Sequence, residues 1–180
     1  MEELETLPVL HPNSFKMINT DLQNELLKIN SEWKSNSRIY GEVIELWVEN
    51  NVPCKCGGKF INQPANKKSI DCICDMCFKN IQIKSSSKPF KVNRDDKLRI
   101  LGAEYMTTLN SINKDDDWDL MLVHYDKELN KVESLKIIES QYISSDNVIP
   151  RKPLGSNARR AGWQGCYLEF NSEVITEIIQ

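Results

Sequence analysis

The sequence has no apolar run near the ~20 residues that a bilayer span requires. Its first residues, Met1-Glu-Glu-Leu-Glu, are acidic and lack the positive-then-apolar order of a secretion signal. Internal repeats and low-complexity linkers are also absent. These absences argue against a membrane partner and predict a cytoplasmic protein, a setting in which six cysteines are thiols or metal ligands rather than disulfides.

A basic excess is missing as well, because the formal net charge is -3. The distribution of charge is more informative than its sum. Residues 79–99 hold seven basic side chains against two acids, and residues 151–160 hold four and no acid. Such runs are either solvated faces or phosphate-binding surfaces. In the second run and beside it we select these residues as candidate DNA contacts: Arg151, Lys152, Arg159, Arg160 and Trp163.

Apolar periodicity predicts alternating helices and strands behind a leader of residues 1–13. Helices are expected over 14–32, 38–49 and 100–112, and strands over 68–73, 80–84, 120–125 and 134–138. Residues 174–179 fit either a strand or a helix. We expect residues 14–180 to form one domain of the α/β class.

Four cysteines have the spacing of a zinc site. Zn²⁺ favours four thiolate or imidazole ligands, held in pairs by tight turns. Cys54 and Cys56 form one pair, followed by two glycines, and Cys74 and Cys77 form the other. Residues 54–77 are therefore predicted to be a zinc-binding insert whose closed site is structural, although free buried thiols remain the alternative.

Phosphodiester hydrolysis needs a divalent metal, an activated water and stabilisation of negative charge. Gln82 and Lys84 stand two apart on a predicted strand and therefore share a face, while Asp71 on the preceding strand can lie opposite them. Asp71 would bind Mg²⁺, Lys84 would orient the water, and Gln82 would offer an uncharged amide oxygen to the metal. Glu45, on the helix before the cysteines, is the candidate for a supporting acid.

Three ordered segments together resemble the DpnI-like restriction endonucleases of the PD-(D/E)XK nuclease superfamily. The first is Trp33-Lys-Ser-Asn-Ser37 with Glu45-Leu-Trp47, and the second is the cysteine segment with its Asp, Gln and Lys. The third is Arg151-Lys-Pro-Leu154 with Ala158-Arg-Arg-Ala-Gly-Trp-Gln-Gly-Cys166.

The resemblance implies a mixed sheet flanked by helices, a Cys₄ zinc site, and Mg²⁺-dependent cleavage of double-stranded DNA. It also implies adenine-methylated G-A-T-C as the target to test. Asp71 and Lys84 match family catalytic positions, and Glu45 matches an acid on the family's helix. Cys54, Cys56, Cys74 and Cys77 match the zinc positions.

This chain departs from the family pattern in three ways. Gln82 stands where the family has glutamate, and the first cysteine pair is CxC rather than CxxC. The family's C-terminal winged helix has no counterpart before Gln180, so recognition is expected from the nuclease domain. Two rivals to a nuclease stay open: a catalytically silent module that binds methylated DNA, and a zinc ribbon that contacts only proteins.

Overall fold

The computed structural model describes residues 37–63, 70–114, 117–126 and 131–179. Two α-helices lie within these ranges, α1 (Ser37–Asn51) and α2 (Tyr105–Asn113). The strands follow in chain order: β1 (Phe60–Asn62), β2 (Cys72–Cys74), β3 (Asn80–Ser86), β4 (Lys97–Glu104), β5 (Trp118–Tyr125), β6 (Val132–Ile138), β7 (Val148–Pro150), β8 (Gly165–Asn171) and β9 (Ile175–Ile179). No helix in these ranges is long and apolar enough to span a bilayer.

The strands form two sheets. The larger is mixed and has six strands in the order β1-β2-β3-β5-β6-β9, with β3 and β5 parallel and the other neighbours antiparallel. The smaller is antiparallel, in the order β4-β8-β7. The expected α/β class with a mixed sheet and helices is confirmed, whereas the second sheet was not predicted.

The central strands of the larger sheet are covered on both faces. On one face α1 places Ile44, Trp47 and Val48 against Ile81 and Met121. On the other face the smaller sheet and α2 cover residues that alternate with these on β5, Leu120 and Leu122. Alternation therefore sends β5 side chains into two separate cores, which is why almost every residue of this strand is apolar and buried.

The helix predicted over residues 100–112 is wrong in its first part. Residues up to Glu104 belong to β4, where buried Leu98 and Ile100 alternate with exposed Arg99 and Leu101. The helix begins only at Tyr105, because the Glu104 carboxylate accepts hydrogen bonds from the first free backbone N–H groups of α2.

Other sequence predictions have mixed outcomes. The helix over 38–49 is confirmed as α1, and the strands over 80–84, 120–125 and 134–138 are confirmed as β3, β5 and β6. The strand expected over 68–73 is β2, which starts later, at Cys72. The tail forms β9, a strand. The predicted leader and the helix over 14–32 lie outside the described residues.

Candidate active site and cysteine cluster

Two tight turns carry the four cysteines that the sequence singles out. In the first turn the Cys54 carbonyl accepts the Gly57 N–H, and Gly57 has a φ of 85°, a conformation that favours glycine. In the second turn the Cys74 carbonyl accepts the Phe78 N–H at 3.1 Å. Antiparallel pairing of Phe60 with Cys74 joins β1 to β2 and so brings the two turns together.

The geometry of the cluster suits a tetrahedral metal. The Sγ atoms of Cys54, Cys56, Cys74 and Cys77 all lie within 4.8 Å of one another. The separations are 3.6 Å for Cys54–Cys77 and 3.4 Å for Cys56–Cys74, near the ~3.8 Å edge of a tetrahedron with ~2.3 Å Zn–S bonds. These four residues could hold a metal such as zinc.

Local hydrogen bonding prepares part of the cluster to ligate a cation. A hydrogen bond from the Gly58 backbone lowers the pKa of Cys56 to about 7, which favours the thiolate. Burial instead raises the pKa values of Cys54 and Cys77. A bound divalent cation would offset that burial cost, because metal ligation requires deprotonated thiols.

The other two cysteines lie outside the cluster. Cys72 is fully buried, and its thiol donates to Asn62 Oδ1 at 2.9 Å. Burial raises the pKa of Cys72 to about 12, so it stays a neutral thiol. Cys166 is buried in the second core, where its Sγ lies 3.6 Å from Thr108 Oγ1. Both are buried free thiols.

Asp71 lies at an open edge of the larger sheet. Strand β2 pairs only with the first residues of β3, so within the described ranges the later part of β3 has no neighbour on this side. Asp71 precedes β2, and its Oδ2 accepts the free N–H of Ile83 at 2.6 Å. This bond fixes the carboxylate beside β3 and was not foreseen from the sequence.

Glu45 on α1 and Lys84 on β3 both interact electrostatically with Asp71. Burial, followed by the charge of Asp71, raises the pKa of Glu45 from 4.5 to about 7, while Lys84 opposes the shift. Burial likewise raises the pKa of Asp71, against the lowering effects of the Ile83 N–H and Lys84. The carboxyls of Glu45 and Asp71 are partly buried and repel each other, and only the Lys84 ammonium offsets their charge. A divalent cation would supply the missing positive charge.

Gln82 and Lys84 lie on β3 between buried neighbours. Ile81 and Ile83 point into the core under α1, so alternation sends Gln82 and Lys84 to the other face, and both are half-buried. The register of β2 on β3 continues from the Cys72–Ile81 pair towards Asp71 and Gln82. Asp71 therefore lies beside Gln82 at the sheet edge. The charges of Glu45 and Lys84 both interact with the Asp71 carboxylate.

The basic segment forms a loop between β7 and β8. Its base is closed by hydrogen bonds from Arg151 N to Gly165 O and from Leu154 N to Trp163 O, both 2.9 Å. Trp163 is half-buried, with its ring against Gly165, and the Arg160 guanidinium lies 5.7 Å from the ring centroid. Arg159 and Lys152 are exposed, and none of the four cations has an acidic partner in the part of the chain that is described.

Comparison with known families gives a match over most of the chain. The family model described as "DpnI: Dam-replacing family" matches residues 19–177. The match runs through α1, the cysteine cluster, β3 and the basic loop, and so contains every site residue described above. A match over most of a chain establishes family membership.

Proposed function

The chain belongs to the DpnI, Dam-replacing, family, and from this premise we propose that it is a Mg²⁺-dependent endonuclease of type II restriction type that cuts double-stranded DNA. Membership points to a restriction-type nuclease acting on DNA. The metal, the phosphodiester chemistry and adenine-methylated G-A-T-C-like targets are the parts that we add.

One observation carries the proposal: Glu45, Asp71 and Lys84 come from three separate elements and interact at one open sheet edge. A raised pKa on two neighbouring carboxyls has no evident benefit for folding. Perturbed groups of this kind concentrate at functional sites. A cation that bound there would relieve the repulsion and favour the ionised form of both groups.

Each residue has a distinct role in the proposed site. Asp71 would hold the metal through the oxygen that Ile83 does not occupy, and the Gln82 amide oxygen and the Glu45 carboxylate would complete its ligands. When bound, Mg²⁺ supplies Lewis acidity and lowers the pKa of a coordinated water. The Lys84 ammonium would orient the attacking water and offset the negative charge that develops on the phosphate.

The cysteine cluster would bind Zn²⁺ as a structural site. Its four thiolates leave no open position for substrate, so the ion would fix the hairpin of β1 and β2 and with it the start of the active-site edge. The loop cations Arg151, Lys152, Arg159 and Arg160 would bind phosphates. Trp163 would order that loop through its contacts with Gly165 and Arg160.

Digestion of matched plasmids tests the function. Purified protein that retains zinc is mixed with adenine-methylated and unmethylated copies of one plasmid in Mg²⁺, and the cut ends are sequenced. We expect cleavage, abolished by Lys84→Ala and retained by Lys131→Ala, which removes an exposed lysine from the hairpin of β5 and β6. Failure to cut either plasmid would refute the proposal, and equal cutting of both would remove only the methyl requirement.

A second candidate function is favoured by one observation, the uncharged Gln82 at a position where the family has an acid. Lower metal affinity could leave a silent module that binds methylated DNA. Gln82→Glu discriminates, because gain of cleavage from an inert parent would support the silent module. Cleavage by the parent would exclude it.

A further inference from the structure

The outer face of the smaller sheet has a composition that its structural role does not require. Alternation turns Leu98, Ile100, Leu168 and Phe170 into the core. The side chains that face solvent are Lys97, Arg99 and Leu101 on β4, Tyr167 and Glu169 on β8, and Ile149 on β7. Leu101 and Ile149 are paired with Tyr167 from either side, so an apolar row crosses the sheet.

Tyr167 stands between two arginines. The Arg151 guanidinium lies 5.3 Å from its ring centroid, and the Arg99 guanidinium lies 5.5 Å from it. Cation–π contacts of this kind hold long side chains in place. Within the described residues no acid engages the Arg151 guanidinium, whereas Arg99 donates to Glu169. Because Arg151 begins the basic loop, its contact with Tyr167 joins the loop to the outer face of the smaller sheet.

Glu169 forms ion pairs with two cations of this face, Lys97 and Arg99. Lys97 Nζ donates to Glu169 Oε1 at 3.0 Å, and Arg99 Nε donates to Oε2 at 2.9 Å. The two cations cover Glu169, whose side chain is only 12% exposed. One carboxylate therefore neutralises one of the two positive charges of Lys97 and Arg99. Arg151 has no acidic partner within the described ranges.

We propose that this outer face is a second phosphate-contact surface for duplex DNA, continuous with the basic loop and attenuated by Glu169. The inference rests on the proposed function in taking DNA as the substrate. Three cations against one acid give the face a net positive charge. The apolar row fits the sugar edges that lie between phosphates.

The contact should be strongest at the Arg151 end. Lys97 follows the acidic turn of Asp95 and Asp96, which reduces the positive potential at the far end of β4. Loss of Arg151 should therefore weaken DNA binding more than loss of Lys97. This gradient distinguishes a directed contact from the general attraction of any cation for DNA.

Binding of a labelled duplex tests the proposal, with Ca²⁺ in place of Mg²⁺ so that no cutting occurs, over a range of salt. The slope of log K against log salt changes by ~0.9 for each phosphate contact. Arg151→Ala should make this slope shallower by the equivalent of about one phosphate contact. Glu169→Gln, which releases Lys97 and Arg99, should make it steeper by about the same amount.

Matched controls lie on the other sheet, where Lys131 and Glu133 form an ion pair at 3.1 Å. Lys131→Ala and Glu133→Gln make the same changes of charge away from the proposed surface. Both should leave the slope unchanged. Equal effects from Glu133→Gln and Glu169→Gln would overturn the proposal, because the response would then reflect net charge alone.

Tyr167 is a positioning residue, and its variants separate that role from folding. Tyr167→Phe keeps the ring and should bind like the parent. Tyr167→Leu keeps apolar bulk but frees both guanidinium groups, and affinity should fall severalfold at an unchanged urea midpoint. Equal affinity of the two variants would refute the positioning role.

The outcomes separate this inference from the proposed function. If the variants alter DNA binding but the parent cuts no DNA in Mg²⁺, the nuclease proposal is refuted and the DNA-contact surface is kept. Normal cleavage by the parent, with binding unaltered in Tyr167→Leu and Glu169→Gln, would refute the second surface and keep the nuclease proposal. A parent that dimerises, with the dimer lost in Leu101→Ser and DNA binding unchanged, would assign the face to a second copy and overturn the proposal.

Discussion

Replacing Glu45 with glutamine should stabilise the magnesium-free protein while it removes function. In the folded state the pKa of Glu45 rises to about 7, because of burial and then the nearby Asp71 carboxylate. The folded protein therefore keeps a proton that the unfolded chain has released between pH 4.5 and about 7. Stability falls as pH rises through this window and is constant above it.

The magnitude follows from linkage. A move of the pKa from 4.5 to about 7 corresponds to roughly 3 kcal/mol of stability lost at pH 8. Glu45 is only half-buried, so water screens its charge and the expected cost falls to about 1–2 kcal/mol. Glu45→Gln, which never ionises, should escape this cost.

Urea unfolding of zinc-loaded protein, without other divalent ions, measures the difference at pH 5 and at pH 8. We expect Glu45→Gln to exceed the parent by less than about 0.5 kcal/mol at pH 5 and by about 1–2 kcal/mol at pH 8. Glu173→Gln, at an exposed site, controls for the loss of one negative charge. Equal differences at the two pH values would refute the account of this carboxyl.

Three further predictions concern stability. Removal of zinc by a strong chelator should release about one ion per chain and lower the melting temperature, and an unchanged melting temperature would contradict a structural site. Gly58→Ala should cost about 1–3 kcal/mol in urea unfolding because its Cβ would lie 2.7 Å from Cys74 Sγ, whereas Gly155→Ala meets nothing within 4 Å and should be neutral. Hydrogen bonds from Thr107 hold the pKa of Glu104 below its usual value, so this cap stabilises α2 above that value and loses its effect as pH falls. Glu104→Ala should accordingly lower the urea midpoint more at pH 7 than at pH 3.

The parts of the fold that depend on local spacing could be predicted from the sequence. Each pair of cysteines is confined to one tight turn, so spacing alone indicated the four members of the cluster. The strand alternation expected for Gln82 and Lys84 agrees with the burial of Ile81 and Ile83 between and beside them. The apolar stripe of α1 likewise needed no tertiary information.

The smaller sheet could not be predicted, because its partners are far apart in sequence. Lys97 pairs with Asn171 and Arg99 pairs with Glu169, contacts that no local pattern contains. The segment Leu98-Arg-Ile-Leu101 offers apolar residues at both helical and strand spacings, and only pairing with β8 decides between them. The surface around Tyr167 was missed for the same reason.

The pKa of Glu45 and the role of Asp71 at the open edge of β3 also depend on tertiary structure. Sequence spacing proposed the residues, but it held no information on which backbone N–H would be left free. The Ile83 N–H is free because β2 is only three residues long. That short strand leaves the N–H that anchors the Asp71 carboxylate, whose charge in turn contributes to the raised pKa of Glu45.

The most direct test compares the parent with Asp71→Asn on one methylated duplex, with binding measured in Ca²⁺ and single-turnover cleavage in Mg²⁺. An asparagine oxygen can still accept the Ile83 N–H, so folding and DNA affinity should be preserved. The account predicts that cleavage is lost with binding intact. Cleavage by Asp71→Asn at the parent's rate would contradict it.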